Sequence, residues 1–357
     1  MAESLYRLLL TPNVATFETR VFNTSSGDPA APTGPKALSP SRIKRRLSLI
    51  LRLGIEVLRR PPAVIHFYFG SESFFNQIAD ILLMYVGAIR RAKIIMHIHT
   101  DPAEASIPGR RRITRRIFKL LASGVSVVLV LTPAHVATVQ PLAREVVVLP
   151  NTCDEGLLRI PSRERSEAPM RCLFLGRLTE AKGIFDLLGV ALLLRERQAR
   201  IVFDVAGLST SADDQARIDR AMATDCLDNV VFHGSIYGEE KHTLFAAADV
   251  MFVPSHFESF GIAAVEGMAA AMPVVASAVG GLVSIVRDGV TGFLVPVGDL
   301  RAMAGRLEQL EGSPETRMKM GEEGRRCFQS DYSAEVAGRT AARIYCQLLD
   351  RESSFRL

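Results

Sequence analysis

The chain has 357 residues, of which 48% are hydrophobic and 23% charged, with a formal net charge of +5. That is apolar material for two cores, and it excludes a disordered chain. Its five cysteines (Cys153, Cys172, Cys226, Cys327 and Cys346) are odd in number and lack CxxC spacing, which argues against a disulfide framework or a zinc site and fits a reducing cytosol.

In chain order, Glu3 and Arg7 break the apolar start, so no signal peptide is expected. No stretch reaches the roughly 18 apolar residues of a spanning helix. Residues 19–24 (TRVFNT) read as a strand, and 25–40, rich in Gly, Pro and Ala, as a loop. Residues 41–60 alternate basic and aliphatic side chains at helical spacing and stop at Pro61 and Pro62. The segments 64–69, 93–99, 126–131 and 145–149 are apolar strands, separated by helices at 73–88, at 110–122 and before 145. Residues 150–169 turn polar and read as a linker. A second series follows, with strands at 172–175, 201–206, 230–233, 250–253, 274–276 and 292–297. Helices at 184–197, 212–224, 239–248 and 261–271 lie between them, and 300–349 is mostly helical. Strands apolar on both faces and alternating with helices predict α/β domains with parallel sheets. The expected division is 1–165, 166–332 and a terminal helical segment, 333–357.

Charge is split unevenly. Residues 1–165 carry 23 Lys and Arg against 12 Asp and Glu, whereas residues 166–357 carry 20 against 26. A basic front half fits an anionic partner such as a membrane surface, and it fits an ordinary solvated face equally well.

Ligands of open α/β sheets bind beyond the carboxyl ends of the strands. In the second series Arg177 follows the strand ending at 175, Lys182 and Gly183 open the next helix, and Glu258 follows the strand ending at 253. Two cations near helix starts suit phosphates. Ser259, Phe260 and Gly261 are expected to begin a helix, leaving backbone N–H groups free to meet an anion. Glu266 falls inside that small-residue helix, where an unpaired buried carboxylate is costly. It is expected to face a cleft or to accept from a ligand hydroxyl. A helix-start acid and a solvated Glu explain the same positions without any ligand.

Glu258 and Glu266 form a Glu-x7-Glu pair within ESFGIAAVEGMAAAMPVVAS, with FLGRLTEAKGIFDLL upstream and VGGLVSIVRDGVTGFLVPVGD downstream. These blocks, spanning roughly 170–300, resemble the retaining GT-B glycosyltransferases of group 1, family 4. The resemblance implies two Rossmann-like domains facing across a cleft, the last helix crossing back to the first. It implies that Arg177 and Lys182 bind the diphosphate of a nucleotide-sugar donor, together with Ser259, Phe260 and Gly261. Glu258 would contact the sugar near the reacting centre, and Glu266 would hold the nucleotide ribose. The donor is then a co-substrate, and no cofactor or metal is expected. The acceptor would be a glycan or a lipid-linked molecule, as in cell-surface polysaccharide or glycolipid synthesis.

In the first half, MHIHTDP resembles the family's strand ending in His-Thr, making His99 the acceptor-side candidate, with His97 on the same strand face. His66, His233 and His256 read as structural. The basic residues Arg42, Lys44, Arg45, Arg46, Arg110, Arg111, Arg112, Arg115 and Arg116 suit an anionic membrane surface, giving a cytoplasmic, peripheral expectation. No nucleic-acid module is present, so nucleic acid is not expected.

Two departures from the family stand out. Its opening strand and Gly-Gly loop have no counterpart, so the chain reads as starting one strand late. Val283 and Ser284 stand where the family often has Pro-Glu. These departures motivate an alternative, a non-catalytic sugar-nucleotide-binding or scaffold subunit. The order of the blocks argues against an epimerase or a phosphorylase, and no GxGxxG fingerprint supports a dehydrogenase.

Overall fold

The structure is a computed structural model that describes residues 48, 51–52, 54–60, 62–69, 91–99, 124–141, 143–161, 168–225 and 227–353. The expected strand at 19–24, the loop at 25–40, the helices at 73–88 and 110–122, half of the basic helix at 41–60 and the nine basic residues named above lie outside these. The chain divides into two compact units, Met1–Pro150 with Ala337–Leu357, and Asn151–Val336.

The first unit holds a parallel sheet in the order β1 (Val64–Phe69), β2 (Lys93–Ile98), β3 (Val127–Val130) and β4 (Val146–Val148). Side chains of a strand alternate between faces. Ile94, Met96 and Ile98 of β2 therefore pack on one side with Val128, Val130 and Val139. Ile95 lies on the other side with Val127, Leu129 and Leu149. That second face is covered by Ala337, Ala341, Ile344 and Leu348 of the helix Ala334–Ser353. Their spacing of four, three and four residues puts them on one stripe of the helix.

The second unit holds six parallel strands: β5 (Met170–Leu175), β6 (Ile201–Ala206), β7 (Val230–Gly234), β8 (Val250–Val253), β9 (Val274–Ser277) and β10 (Gly292–Val295). Their spatial order is β10-β9-β8-β5-β6-β7. The chain thus runs outward from β5 to β7, then returns to lay β8 against the other side of β5. That reversal creates a crevice beyond the carboxyl ends of β5 and β8, where doubly wound sheets take ligands. Leu187, Val190, Ala191 and Leu194 of the helix Ile184–Glu196 share a core with Met303, Leu307 and Leu310 of the helix Leu300–Glu311. Removing the Val, Leu and Met side chains among these from water contributes roughly 1.5–3 kcal/mol each.

The segment read as a linker is built into the second unit as far as Ile160. Leu157 is fully buried, the Ala334 backbone N–H donates to Glu155 (2.7 Å), and Arg325 donates to the Ile160 carbonyl (2.5 Å). A polar stretch reads as a linker when its partners are distant in sequence, and here they lie 165 and 179 residues away.

Candidate functional site

Beyond the carboxyl ends of β5, β8 and β9, three loops are tied together by backbone contacts. The loop after β5 ends in a single 3-10 turn, Glu180–Lys182, closed by Gly183 at φ 77°. The backbone N–H groups of His256 and Phe257, in the loop after β8, both donate to the Ala181 carbonyl, at 3.0 and 3.2 Å. A Cβ on Gly183 would lie 1.9 Å from the Pro254 carbonyl oxygen, and its φ falls in the left-handed region, so only glycine fits. The Gly281 N–H donates to the Glu258 carbonyl at 2.9 Å, binding the loop after β9 to the same place.

These contacts bring Lys182 and Glu258 together. Lys182 Nζ donates to Glu258 Oε2 at 2.6 Å, with side chains 25% and 13% exposed. The pair is 76 residues apart in sequence and is assembled by the adjacency of β5 and β8. Arg177 stands at the end of β5, exposed, and makes no ion pair among the described residues. An exposed guanidinium at that edge can take an oxyanion without first breaking an internal bond.

The helix after β8 corrects the sequence reading. It runs Ile262–Ala269, with Gly261 as its N-cap at φ 110° and no side chain bonded as a cap. Ser259 and Phe260 lie in the preceding loop. Phe260 is 3% exposed, with its ring edge-on to Tyr332 at 6.2 Å, so any ligand contact there belongs to the backbone. Glu266 lies in this helix, as expected, and is buried; the cost of burying its carboxylate is met by a lysine that the sequence reading did not name. Lys241 Nζ donates to Glu266 Oε1 at 2.7 Å, with side chains 18% and 10% exposed. Burial pushes the Glu266 carboxyl up from its ordinary range, the Lys241 ammonium opposes that shift, and the Asp154 carboxylate adds to it. Lys241 escaped sequence reasoning because it sits in the charged run Glu239-Glu240-Lys241-His242, which has the local signature of a solvated helix face. Ser284 lies half-buried in the short helix Leu282–Ile285, its backbone N–H donating to Gly281.

In the first unit, His66, Tyr68, His97 and His99 form a ring cluster at the ends of β1 and β2. His97 and His99 lie 4.2 Å apart, Tyr68 and His99 4.9 Å, and His66 and Tyr68 5.2 Å, between ring centroids. His97 Nε2 donates to the Leu149 carbonyl at 3.3 Å, and His66 Nδ1 bonds the Tyr345 hydroxyl at 2.6 Å. Burial lowers His66 to about 3 and His99 to about 4, and holds His97 well below its ordinary value. All three rings are therefore neutral at neutral pH. His233 pairs with buried Asp204, and His256 with Asp186, each at 2.7 Å.

A cavity of about 390 Å³ lies at the opposite, amino-terminal end of the strands of the second sheet, its lining including Asp249 and Pro273, which precede β8 and β9. None of the residues singled out from the sequence lines it. Among the described residues no three His, Cys, Asp or Glu side chains gather as metal ligands, and no helix is long and apolar enough to cross a membrane.

Residues 160–327 match the family described as glycosyl transferases group 1. A D-inositol 3-phosphate glycosyltransferase of Streptomyces coelicolor is 36% identical over 207 residues, 55% of this chain and 45% of the relative. A glycogen synthase of Mycobacterium tuberculosis is 28% identical over 208 residues, 57% of this chain and 49% of the relative. The chain thus spans about half the length of the curated relatives it matches. Among solved structures, sucrose-phosphate synthase from Thermosynechococcus elongatus superposes with a TM-score of 0.69 at 23% identity, covering 89% of this chain and 82% of that one. Anabaena HepE, solved in complex with UDP, gives 0.70 at 18% identity, covering 84% and 82%. The fold is thus of the GT-B class, with two Rossmann-like α/β domains, and the match to the group 1 family is confined to residues 160–327.

Proposed function

We propose that this chain is a group 1 glycosyltransferase that moves a hexosyl group from a nucleoside-diphosphate sugar to a glycan or lipid-linked acceptor, with retention of configuration and without a metal. The observation that carries the reading is the Lys182–Glu258 pair, set at the reversal point between β5 and β8 within the region that matches the family. The described likeness to a structure holding UDP adds support for a nucleoside diphosphate as the leaving group.

Breaking the bond between the anomeric carbon and the diphosphate oxygen builds negative charge on the diphosphate and positive charge on the carbon. Lys182 and Arg177 are suited to meet the first: the ammonium exchanges its Glu258 partner for the diphosphate, and the exposed guanidinium adds a second positive charge. The Ile262–Ala269 helix adds the positive end of its dipole. The Glu258 carboxylate, which holds Lys182 at rest, is released to face the sugar when the diphosphate takes the ammonium. The acceptor oxygen then bonds the anomeric carbon on the face the diphosphate leaves, and its proton passes to the departing phosphate oxygen, a course carried over by analogy with the family. His99, kept neutral by burial, is suited to hydrogen-bond a sugar or acceptor hydroxyl and not to act as a cation.

The test is a panel of UDP-, GDP- and ADP-sugars, read first by thermal shift and then by release of nucleoside diphosphate. Glu266→Ala should weaken nucleotide binding, whereas Glu258→Ala should mainly lower turnover. Failure of the full-length protein to bind any of the three nucleoside diphosphates would end this reading.

A further inference from the structure

Lys241 lies outside all three sequence blocks that carry the family resemblance, yet it touches one of their acids. Its helix, Gly238–Ala247, follows β7, two strands away from β5. From there the ammonium reaches across to the helix after β8 and takes one oxygen of Glu266 at 2.7 Å. Among the described residues, the other oxygen, Oε2, accepts no hydrogen bond. We propose that Lys241 is a positioning residue for the donor's ribose: by fixing Oε1 of Glu266 it presents Oε2 to the ribose hydroxyls. The inference rests on the reading of Glu266 as the ribose-binding residue.

Three observations support it. A glutamate carboxylate swings about its last side-chain bonds, and one charge-assisted hydrogen bond from a buried lysine stops that rotation. The lysine is itself braced. Its ammonium lies 5.5 Å from the centroid of Phe245, one turn along the helix. The next residue, His242, binds Asp154 at 2.7 Å and anchors the helix to the segment after Pro150. Finally, the setting would otherwise discharge Glu266, since burial and the Asp154 carboxylate both favour its protonated form. A protonated carboxyl loses half its capacity to accept from hydroxyls. Lys241 is the nearby positive charge that keeps the acceptor form available.

A plain staple between two helices would show the same ion pair, so the test asks for dependence on the ribose hydroxyls. UDP, GDP and ADP are titrated calorimetrically into the full-length chain, and the tightest binder is compared with its 2′,3′-dideoxy analogue. Lys241→Met should bind the ribonucleotide about tenfold more weakly than the parent, the worth of one hydrogen bond to a charged group. It should bind the dideoxy analogue as the parent does, and Lys241→Arg should recover most of the loss. Equal weakening toward both ligands, or none, overturns the inference. Lys241→Gln, which keeps a donor and drops the charge, is measured beside it. If neither neutral variant folds while Glu266→Gln does, the pair is a staple and the inference also fails. Glu266→Gln separates the two levels. If it still discriminates ribose from dideoxyribose as the parent does, the ribose reading itself is wrong. If it loses discrimination while Lys241→Met keeps it, only the role of Lys241 falls.

Discussion

Lys182→Met separates what the Lys182–Glu258 pair does for stability from what it does for turnover. Methionine keeps an unbranched stem of similar reach and removes the ammonium, leaving Glu258 without its 2.6 Å partner. Orphaning one member of a fully buried pair costs about 3–5 kcal/mol, and an exposed pair is worth about 0–1. With side chains 25% and 13% exposed, this pair lies between those limits, so a loss of about 1–2 kcal/mol is expected. For a unit spanning Asn151–Val336, that corresponds to a melting temperature lower by about 2–8 °C. Turnover should fall further, by about 100- to 1,000-fold, the range for removing one preorganised group from a developing anion. Adding Glu258→Gln takes away the orphaned charge, so the double variant should recover its melting temperature and stay slow. Thermal melts, with nucleoside diphosphate release at saturating donor, measure both. Turnover within threefold of the parent, or a double variant no more stable than Lys182→Met, would refute the reasoning.

Two further outcomes follow from the packing. A Cβ on Gly281 would sit 2.3 Å from the Phe260 carbonyl oxygen and 2.6 Å from the Phe260 Cα. Gly281→Ala should therefore cost about 1–3 kcal/mol and weaken nucleotide binding as it displaces the loop bearing Glu258. A variant with unchanged melting and affinity would mean that these loops yield freely. His66 and His99 titrate in the fold at about 3 and about 4, and at 6.5 when unfolded. The unfolded chain binds more protons between those values, so their contribution is complete above pH 6.5 and is lost as pH falls, toward 4 for His99 and toward 3 for His66. Glu266, raised by burial, works in the opposite direction. Melting curves across pH 7 to 4 should show acid destabilisation that is smaller in His66→Phe, and identical curves for the two proteins would contradict this.

Much of the second unit was legible in the sequence because its signals are local. A parallel strand buried on both faces must be apolar at nearly every position, and MRCLFL, IVFDVA and VMFV are. The residues expected to bear the site fall after such strands, and the Glu-x7-Glu spacing is itself a local pattern. The start of the helix after β8 was misplaced because Gly261, at φ 110°, serves as its cap, and a glycine among small residues does not reveal its sign of φ. The polar stretch after Pro150 was misread for a related reason. Leu157 is the one buried apolar side chain among its described residues, and Leu157, Leu158 and Ile160 among polar neighbours are too few to set a period.

By itself, then, the order of residues determined two series of parallel strands and the acids and cations at their ends, because burial on both faces and turn geometry act within a few residues. Only the tertiary structure decided who pairs with whom. Lys182 meets Glu258 because β8 returns to lie against β5, and Lys241 meets Glu266 across 25 residues with β8 between their helices. Ion pairs of this kind follow from the spatial order of strands, which is set by packing the whole sheet and carries no signature at either residue.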